Sequence, residues 1–125
     1  MPQPQHQSSS LILARYARGE RSFAALDLES ADCDFSGAIL EDADFSGCCI
    51  TASFRSANLE RAVFKDANVK TCDFTNANLQ GACFEGAAID GAAFAGANLK
   101  DASFLGASEQ GHIYAAGELP RQDAV

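Results

Sequence analysis

The feature that most constrains this chain is an apolar residue that returns every five positions. All nine phenylalanines, from Phe23 to Phe104, fall on this series, and Leu, Ile or Val takes the positions between them, from Leu28 to Leu99. We call each of these apolar positions a node; there are seventeen of them. From Cys33 onward the residue two places before each node is only Ala or Cys. A fixed short period predicts one structural unit stacked on itself.

Five residues match neither the 3.6-residue period of a helix nor the two-residue period of a strand. Asp, Asn or Ser often precedes the node, and Gly often stands two residues after it, as at Gly37 and Gly86. Gly at that position indicates a corner. Each unit is therefore predicted to be a short extended piece followed by a turn, with the node and the small residue pointing inward.

The run Ala57-Asn58-Leu59-Glu60-Arg61-Ala62-Val63-Phe64-Lys65-Asp66 and its neighbours resemble the A(D/N)Lxx units of the pentapeptide-repeat protein family. The resemblance extends from Arg21 to Gly106 and implies an all-β solenoid, a right-handed quadrilateral β-helix with four units per coil and about four coils. The alternation of Phe with aliphatic nodes agrees with four units per coil, because every layer then repeats the volumes of the layer below.

Two intervals break the period. Leu28 and Phe35 are seven residues apart and Ile50 and Phe54 are four apart. We interpret the first interval as a two-residue insertion and the second as a one-residue deletion, because both interpretations keep the alternation of Phe and aliphatic nodes.

The ends of the chain lie outside the repeats. We predict a disordered N-terminal tail over residues 1–9, a short capping α-helix over residues 10–19, the β-helix over residues 21–106 and a C-terminal tail or cap over residues 107–125. Ser8, Ser9 and Ser10 offer N-cap hydroxyls, Gly19 is a natural stop, and Ile12, Leu13, Tyr16 and Ala17 form an apolar face at helical spacing.

Composition and charge disfavour several classes of function. The chain has 17 acidic and 9 basic residues and a formal charge of −8, which disfavours direct contact with nucleic acid or anionic membranes. It carries no long apolar segment and no basic leader, so we expect a cytoplasmic protein. Cys33, Cys48 and Cys72 occupy the small buried position, whereas Cys49 and Cys83 are expected to face solvent. We expect five free thiols and no metal.

No catalytic residues can be assigned. His6 and His112 both lie outside the repeats, and the predicted core of Phe, Leu and Ala leaves no cavity for a substrate or cofactor. We therefore predict a protein that is not an enzyme and binds no cofactor.

Charge is the one sequence feature that suggests a binding surface. No Lys or Arg lies between Ser22 and Phe54, whereas seven acidic residues do: Asp27, Glu29, Asp32, Asp34, Glu41, Asp42 and Asp44. This patch could hold a basic protein groove or could be ordinary solubilising charge.

Two functional interpretations remain open. The first is a rigid protein–protein interaction module with an unknown partner, since solenoids present side chains to other proteins. The second follows from the resemblance, because some pentapeptide-repeat proteins mimic DNA, bind DNA gyrase or topoisomerase IV and modulate quinolone sensitivity. Acidic charge along one face would favour mimicry, and a ring around the early coils would favour a local docking site. The resemblance also suggests a homodimer formed through the C-terminal coil.

Overall fold

A computed structural model describes residues 8–29 and 33–122 of the chain. Residues 1–7, where most of the disordered tail is predicted, lie outside the described residues. The regular elements are one helix, α1 (Ser9–Ala17), and four two-residue strands, β1 (Asp27–Leu28), β2 (Cys49–Ile50), β3 (Ser108–Glu109) and β4 (His112–Ile113).

The body of the molecule is organised by parallel bridges between residues four nodes apart. The bridges join the residues that precede each node into four ladders. The first ladder is Ser22–Asp44–Val63–Cys83–Ser103, the second Asp27–Cys49–Asn68–Ala88–Ser108, the third Asp34–Ser53–Asp73–Ala93 and the fourth Ile39–Asn58–Asn78–Asn98. Each ladder marks one side of the stack, and four consecutive nodes make one layer.

The spacing of the bridges confirms how the irregular intervals were interpreted. From Ser53–Asp73 onward the paired residues are 20 positions apart. They are 22 apart in Ser22–Asp44 and 19 apart in Asp34–Ser53, as a two-residue insertion and a one-residue deletion require. Part of the insertion, residues 30–32, lies outside the described residues.

The corners follow from backbone hydrogen bonds and left-handed residues. At a regular corner the N–H three residues after the node donates to the node's carbonyl, as from Ala57 to Phe54 at 3.0 Å. The residue two places after the node has positive φ, and it is not always glycine: Ser56 and Arg61 both have φ near 59°. Glycine is therefore favoured at the corner but is not obligatory.

The core is built from the nodes, and all seventeen are buried, none more than 3% exposed. Phenylalanine rings stack in two columns, with centroids 4.8 Å apart for Phe64 and Phe84 and 5.0 Å apart for Phe54 and Phe74. Rings of the two columns meet edge to face, as for Phe74 and Phe84 at 90°. The stacking distance matches the spacing of paired strands, so backbone pairing and ring packing reinforce each other.

Helix α1 covers the first layer. Ser8 caps it by accepting the Leu11 N–H, and Gly19 follows with φ 98°. Ile12 is fully buried and the Tyr16 hydroxyl donates to the Glu41 carbonyl at 2.9 Å. The helix begins one residue before the predicted segment, because Ser8 is the cap, and Ala17 is exposed although the apolar pattern included it.

The segment after Gly106 folds back over the last layer. Strands β3 and β4 pair antiparallel, and Tyr114 is buried with its ring 6.2 Å from that of Phe104. The Gly106 N–H donates to the Tyr114 carbonyl, and the Gly96 N–H donates to the Gln122 carbonyl, both in positions that a further layer would occupy. The C-terminal segment thus supplies hydrogen-bond acceptors and an aromatic ring to the end of the stack.

Candidate protein-docking surface

The polar residues before the nodes have a structural role in addition to their charge. Their side-chain oxygens accept the backbone N–H two residues later, as in Asp34 with Ser36 at 2.9 Å and Asn78 with Gln80 at 3.2 Å. Asp, Asn and Ser satisfy turn N–H groups in this way. A carboxylate at this position is therefore held in place, and its charge faces outward.

The structure distributes the predicted acidic patch around the stack. Asp44, Asp27 and Asp34 belong to the first, second and third ladders. Glu29 follows the second-ladder node Leu28, and Glu41 and Asp42 follow Leu40 on the fourth side. We call these six residues the acidic ring. Asp32, the seventh predicted member, lies outside the described residues.

Two members of the acidic ring are held by serine. The Ser46 N–H and hydroxyl both donate to Asp44 Oδ1, at 2.8 and 2.5 Å. Ser36 lowers the pKa of the Asp34 carboxyl by hydrogen bonding through its side chain and its backbone N–H. The Ser46 contacts fix the position of the Asp44 carboxylate, and the lowered pKa of Asp34 favours its ionised form.

The fourth side connects the ring to the next coil. The Arg61 guanidinium donates to both oxygens of Asp42, at 2.8 and 3.3 Å, and this contact lowers the pKa of Asp42. The Asn58 amide donates to Glu41 Oε2 at 2.8 Å. The Asp42 carboxylate is thus paired with a cation of its own chain, whereas the partner of Glu41 is an uncharged amide.

Basic residues lie above the ring on all four sides, and we call them the basic belt. Arg55, Arg61, Lys65 and Lys70 each follow the node of a different ladder. Arg55 bonds Asp73 in the following coil at 3.0 Å. The negative field is therefore strongest around the first coil and is interrupted beyond it.

One residue in the same coil was not identified from the sequence. Ile39 is 64% exposed and occupies the fourth ladder, where the three residues above it are asparagine. An aliphatic residue at a position otherwise filled by turn-capping polar residues was the signal that could have identified it. The exposed side chain places an apolar group on the same side as Glu41 and Asp42.

The cysteines lie where the pattern predicts. Cys33, Cys48 and Cys72 are buried, Cys49 is exposed and Cys83 is half-buried. Burial raises the pKa of the Cys48 thiol to about 11 and that of Cys72 to about 12. These two thiols are protonated at neutral pH and are poor nucleophiles.

His112 does not stand isolated in the C-terminal hairpin. Its Nε2 lies 2.5 Å from Glu118 Oε2, and its ring meets that of Tyr114 edge-on at 4.9 Å. The Tyr114 hydroxyl donates to Glu109 at 2.6 Å. The group ties the hairpin together at the surface.

The described residues provide neither a metal site nor a membrane-spanning helix. Over residues 8–29 and 33–122, no group of three or more His, Cys, Asp or Glu side chains has the arrangement of a metal site. In the same part of the chain, no helix combines the length and the apolar character needed to cross a bilayer.

Solved structures of similar proteins share this architecture. Alr5209, a pentapeptide repeat protein from Nostoc Pcc 7120, aligns with a TM-score of 0.60 and 25% identity over 86% of this chain and 84% of its own. Rfr23 from the cyanobacterium Cyanothece 51142 aligns with a TM-score of 0.57 and 20% identity over 78% of this chain and 92% of its own, a likeness of fold.

A third similar structure is that of a resistance protein. QnrB1, a plasmid-mediated fluoroquinolone resistance protein, is 31% identical over 61% of this chain with a TM-score of 0.50, and this chain spans 36% of QnrB1. No protein with a curated description matches the chain significantly.

The family assignment rests on the repeats themselves. A family model described as a pentapeptide repeat region matches residues 38–111, more than half of the chain. Proteins of this kind are right-handed quadrilateral β-helices that generally serve as structural or interaction modules rather than enzymes. The chain belongs to the pentapeptide-repeat family.

Proposed function

We propose that this protein is a rigid, non-enzymatic interaction module whose acidic ring docks a basic surface of another protein. The four ladders and the bridges between residues 20 positions apart support a right-handed, four-sided rod of about four coils. A rod with a core of stacked rings changes shape little on binding, so its value to a partner is a fixed arrangement of surface groups.

The observation that carries the proposal is the distribution of the acidic ring. Its six carboxylates occupy all four sides within about one coil, and turn N–H groups or serine hydroxyls hold several of them. Groups held in this way lose little conformational freedom on binding. A basic concave surface that surrounds this end of the rod would meet negative charge from every side.

The basic belt limits where along the rod a basic partner can bind. Arg55, Arg61 and Lys65 lie one coil above the ring residues of their sides, and Lys70 lies two coils above Glu29. The belt interrupts the negative charge beyond the ring, so we place the contact of a basic partner at the first coil. Ile39 supplies an exposed aliphatic contact within the charged surface, of the kind found inside polar interface rims.

The proposal also covers the cofactor, the location and the oligomeric state of the protein. The protein acts without a cofactor, does not bind nucleic acid or membranes directly, and works in the cytoplasm. A homodimer through the C-terminal end is supported by three exposed apolar side chains there, Leu105, Ile113 and Leu119, which are 48%, 61% and 39% exposed. Covering such groups favours association.

The alternative function is DNA mimicry directed at DNA gyrase or topoisomerase IV. The similarity to QnrB1, a fluoroquinolone resistance protein, favours it. A duplex mimic needs negative charge along the rod, and here the charge forms a ring that is followed by a basic belt. We therefore place docking by the acidic ring first.

The docking proposal can be tested by charge removal with matched controls. The triple variant Asp27→Asn, Glu29→Gln, Asp34→Asn removes three charges from the ring and keeps an acceptor oxygen at each position. The control Glu85→Gln, Asp90→Asn, Asp101→Asn removes three charges from later coils. Cross-linking in cells should capture the same partner with the wild type and the control, and the ring variant should lose it. Equal capture by all three proteins contradicts the proposal.

A supercoiling assay separates the alternative. Purified gyrase is assayed with and without a fluoroquinolone at micromolar concentrations of this protein. Mimicry predicts inhibition of supercoiling or protection from the drug, whereas the docking proposal predicts neither. Inhibition that survives neutralisation of the ring but falls with the control variant would favour mimicry by the later coils.

A further inference from the structure

Among the corners whose residues are all described, those after Phe23 and Ile50 lack the regular hydrogen bond. At a regular corner the third residue after the node donates to the node's carbonyl, as from Ala82 to Leu79 at 3.0 Å. The corner after Phe23 is different, because the Leu26 N–H lies 3.4 Å from Cys48 Sγ. The corner after Ile50 is one residue short, and neither Thr51 nor Ala52 has the left-handed backbone found at the regular corners.

A buried cysteine in the following coil meets each of these corners. The Cys48 thiol donates to the Phe23 carbonyl, with Sγ 2.9 Å from the oxygen, and also accepts the Leu26 N–H. The Cys48 thiol is therefore inserted between the two backbone groups that a regular corner joins directly. The Cys72 thiol donates to the Ile50 carbonyl, with Sγ 3.3 Å from the oxygen.

Corners that close by the regular bond carry alanine at the equivalent place. Ala67 lies one coil above the corner after Phe45, which closes by a bond from the Cys48 backbone N–H to the Phe45 carbonyl at 3.1 Å. Ala92 likewise lies one coil above the corner after Val69, where the Cys72 backbone N–H donates to the Val69 carbonyl at 3.1 Å. Alanine has no polar atom to offer, and a buried carbonyl without a donor is costly. Cysteine instead of alanine at the two irregular corners thus has a physical reason.

We propose that Cys48 and Cys72 act as thiol latches, S–H donors that close the corners after Phe23 and Ile50 and hold the first three coils in register. The first latch adjoins the acidic ring, because its corner leads directly into Asp27. The burial that keeps both thiols protonated also keeps them available as donors. The inference does not depend on the proposed function, because it concerns how these coils close.

Amide hydrogen exchange measured by NMR tests the first latch. In Cys48→Ala the exchange of the Leu26 amide should accelerate by about tenfold or more, because its acceptor is gone. Cys48→Ser retains a donor and an acceptor and should show a smaller acceleration. The Ala87 amide, which donates to Phe84 in a regular corner, serves as the internal reference, and Cys83→Ala at a half-buried site is the matched variant. Leu26 exchange in Cys48→Ala within twofold of the wild-type rate overturns the proposal.

Raman spectroscopy of the S–H stretch tests both latches with serine variants, which retain a hydroxyl donor in place of the thiol. A hydrogen-bonded thiol should vibrate at lower frequency than the exposed Cys49 thiol. Difference spectra against Cys48→Ser and Cys72→Ser should each remove intensity from the low-frequency side of the band. Loss of intensity at the frequency of an unbonded thiol in either spectrum contradicts the assignment of that latch.

Discussion

The lower part of the stack, residues 22–54, and the upper part, residues 55–106, share a core but differ in almost everything outside it. In both parts the nodes are buried and the phenylalanine rings stack about one strand spacing apart. The lower part contains both irregular intervals, both thiol-bonded corners and the acidic ring. The upper part keeps a register of 20 residues and carries charges of both signs. Packing therefore tolerates changes in loop length and surface chemistry as long as the nodes remain in their columns.

The largest expected effect tests whether the core is uniform. Phe54→Ala in the lower part and Phe84→Ala in the upper part each remove a fully buried ring that is stacked on both sides. Each should lower the free energy of unfolding by roughly 3–5 kcal/mol, from lost burial and the cavity left behind. Chemical denaturation monitored by circular dichroism measures both. A clearly smaller loss for Phe54→Ala would show that the irregular coils are loosely packed.

Corner glycines give a smaller effect that differs between the two parts. Gly37 and Gly86 have φ of 69° and 72°, so alanine at either position costs about 1–2 kcal/mol of backbone strain. A Cβ at Gly37 meets open space, whereas one at Gly86 meets Asp66 Oδ1. Gly86→Ala should therefore be more destabilising in denaturation curves. Adding Asp66→Ser should reduce its effect to that of Gly37→Ala, and an unchanged difference would rule out Asp66 as the cause.

At Ile39, in the lower part, a substitution is expected to stabilise the protein. Asn58, one coil above it, accepts the Glu60 N–H, and Ile39 offers no such acceptor to Glu41. Ile39→Asn should raise the free energy of unfolding by about 0.5–1.5 kcal/mol, the worth of one hydrogen bond. The reciprocal change, Asn78→Ala, should lower it by a similar amount. If Ile39→Asn destabilises the protein, the isoleucine contributes packing that its exposure does not reveal.

The smallest effect concerns the ion pair that joins the two parts. In Arg61→Gln the pKa of Asp42 should rise toward the ordinary value, because the guanidinium that lowers it is gone. A lowered folded-state pKa stabilises the protein above the unfolded value, near pH 4, and this contribution is lost as pH falls through the folded pKa. NMR titration of side-chain carboxyls measures the shift. Asp34, whose pKa Ser36 lowers, is the internal control, and an unchanged Asp42 pKa in Arg61→Gln would contradict the pairing. The contribution to stability should be slight, because both partners are 54% exposed.

Most of the architecture could be predicted from local sequence. The period of the nodes predicts the core, and the small residues before them predict the inner wall. The serines at 8–10 and Gly19 predict the ends of α1 to within two residues. The sequence did not show whether the C-terminal segment covers the last layer or forms an interface with a second copy. The reason is that Tyr114 contacts Phe104 only once the β3–β4 hairpin has formed. The acidic residues were identified, but their arrangement as a ring depends on which side each ladder occupies.

The amino-acid sequence by itself determined which side chains form the core, because a five-residue period of apolar groups can be buried only by stacking. Tertiary structure decided which distant residues meet: Cys48 with Phe23, Arg61 with Asp42, and the carboxylates that encircle the first coil. The physical reason is register. Contacts between coils depend on the number of residues per turn, and the insertion and deletion change that number from 22 to 19 and then to 20. The local sequence identifies these residues, but they come into contact only when the chain is wound into coils.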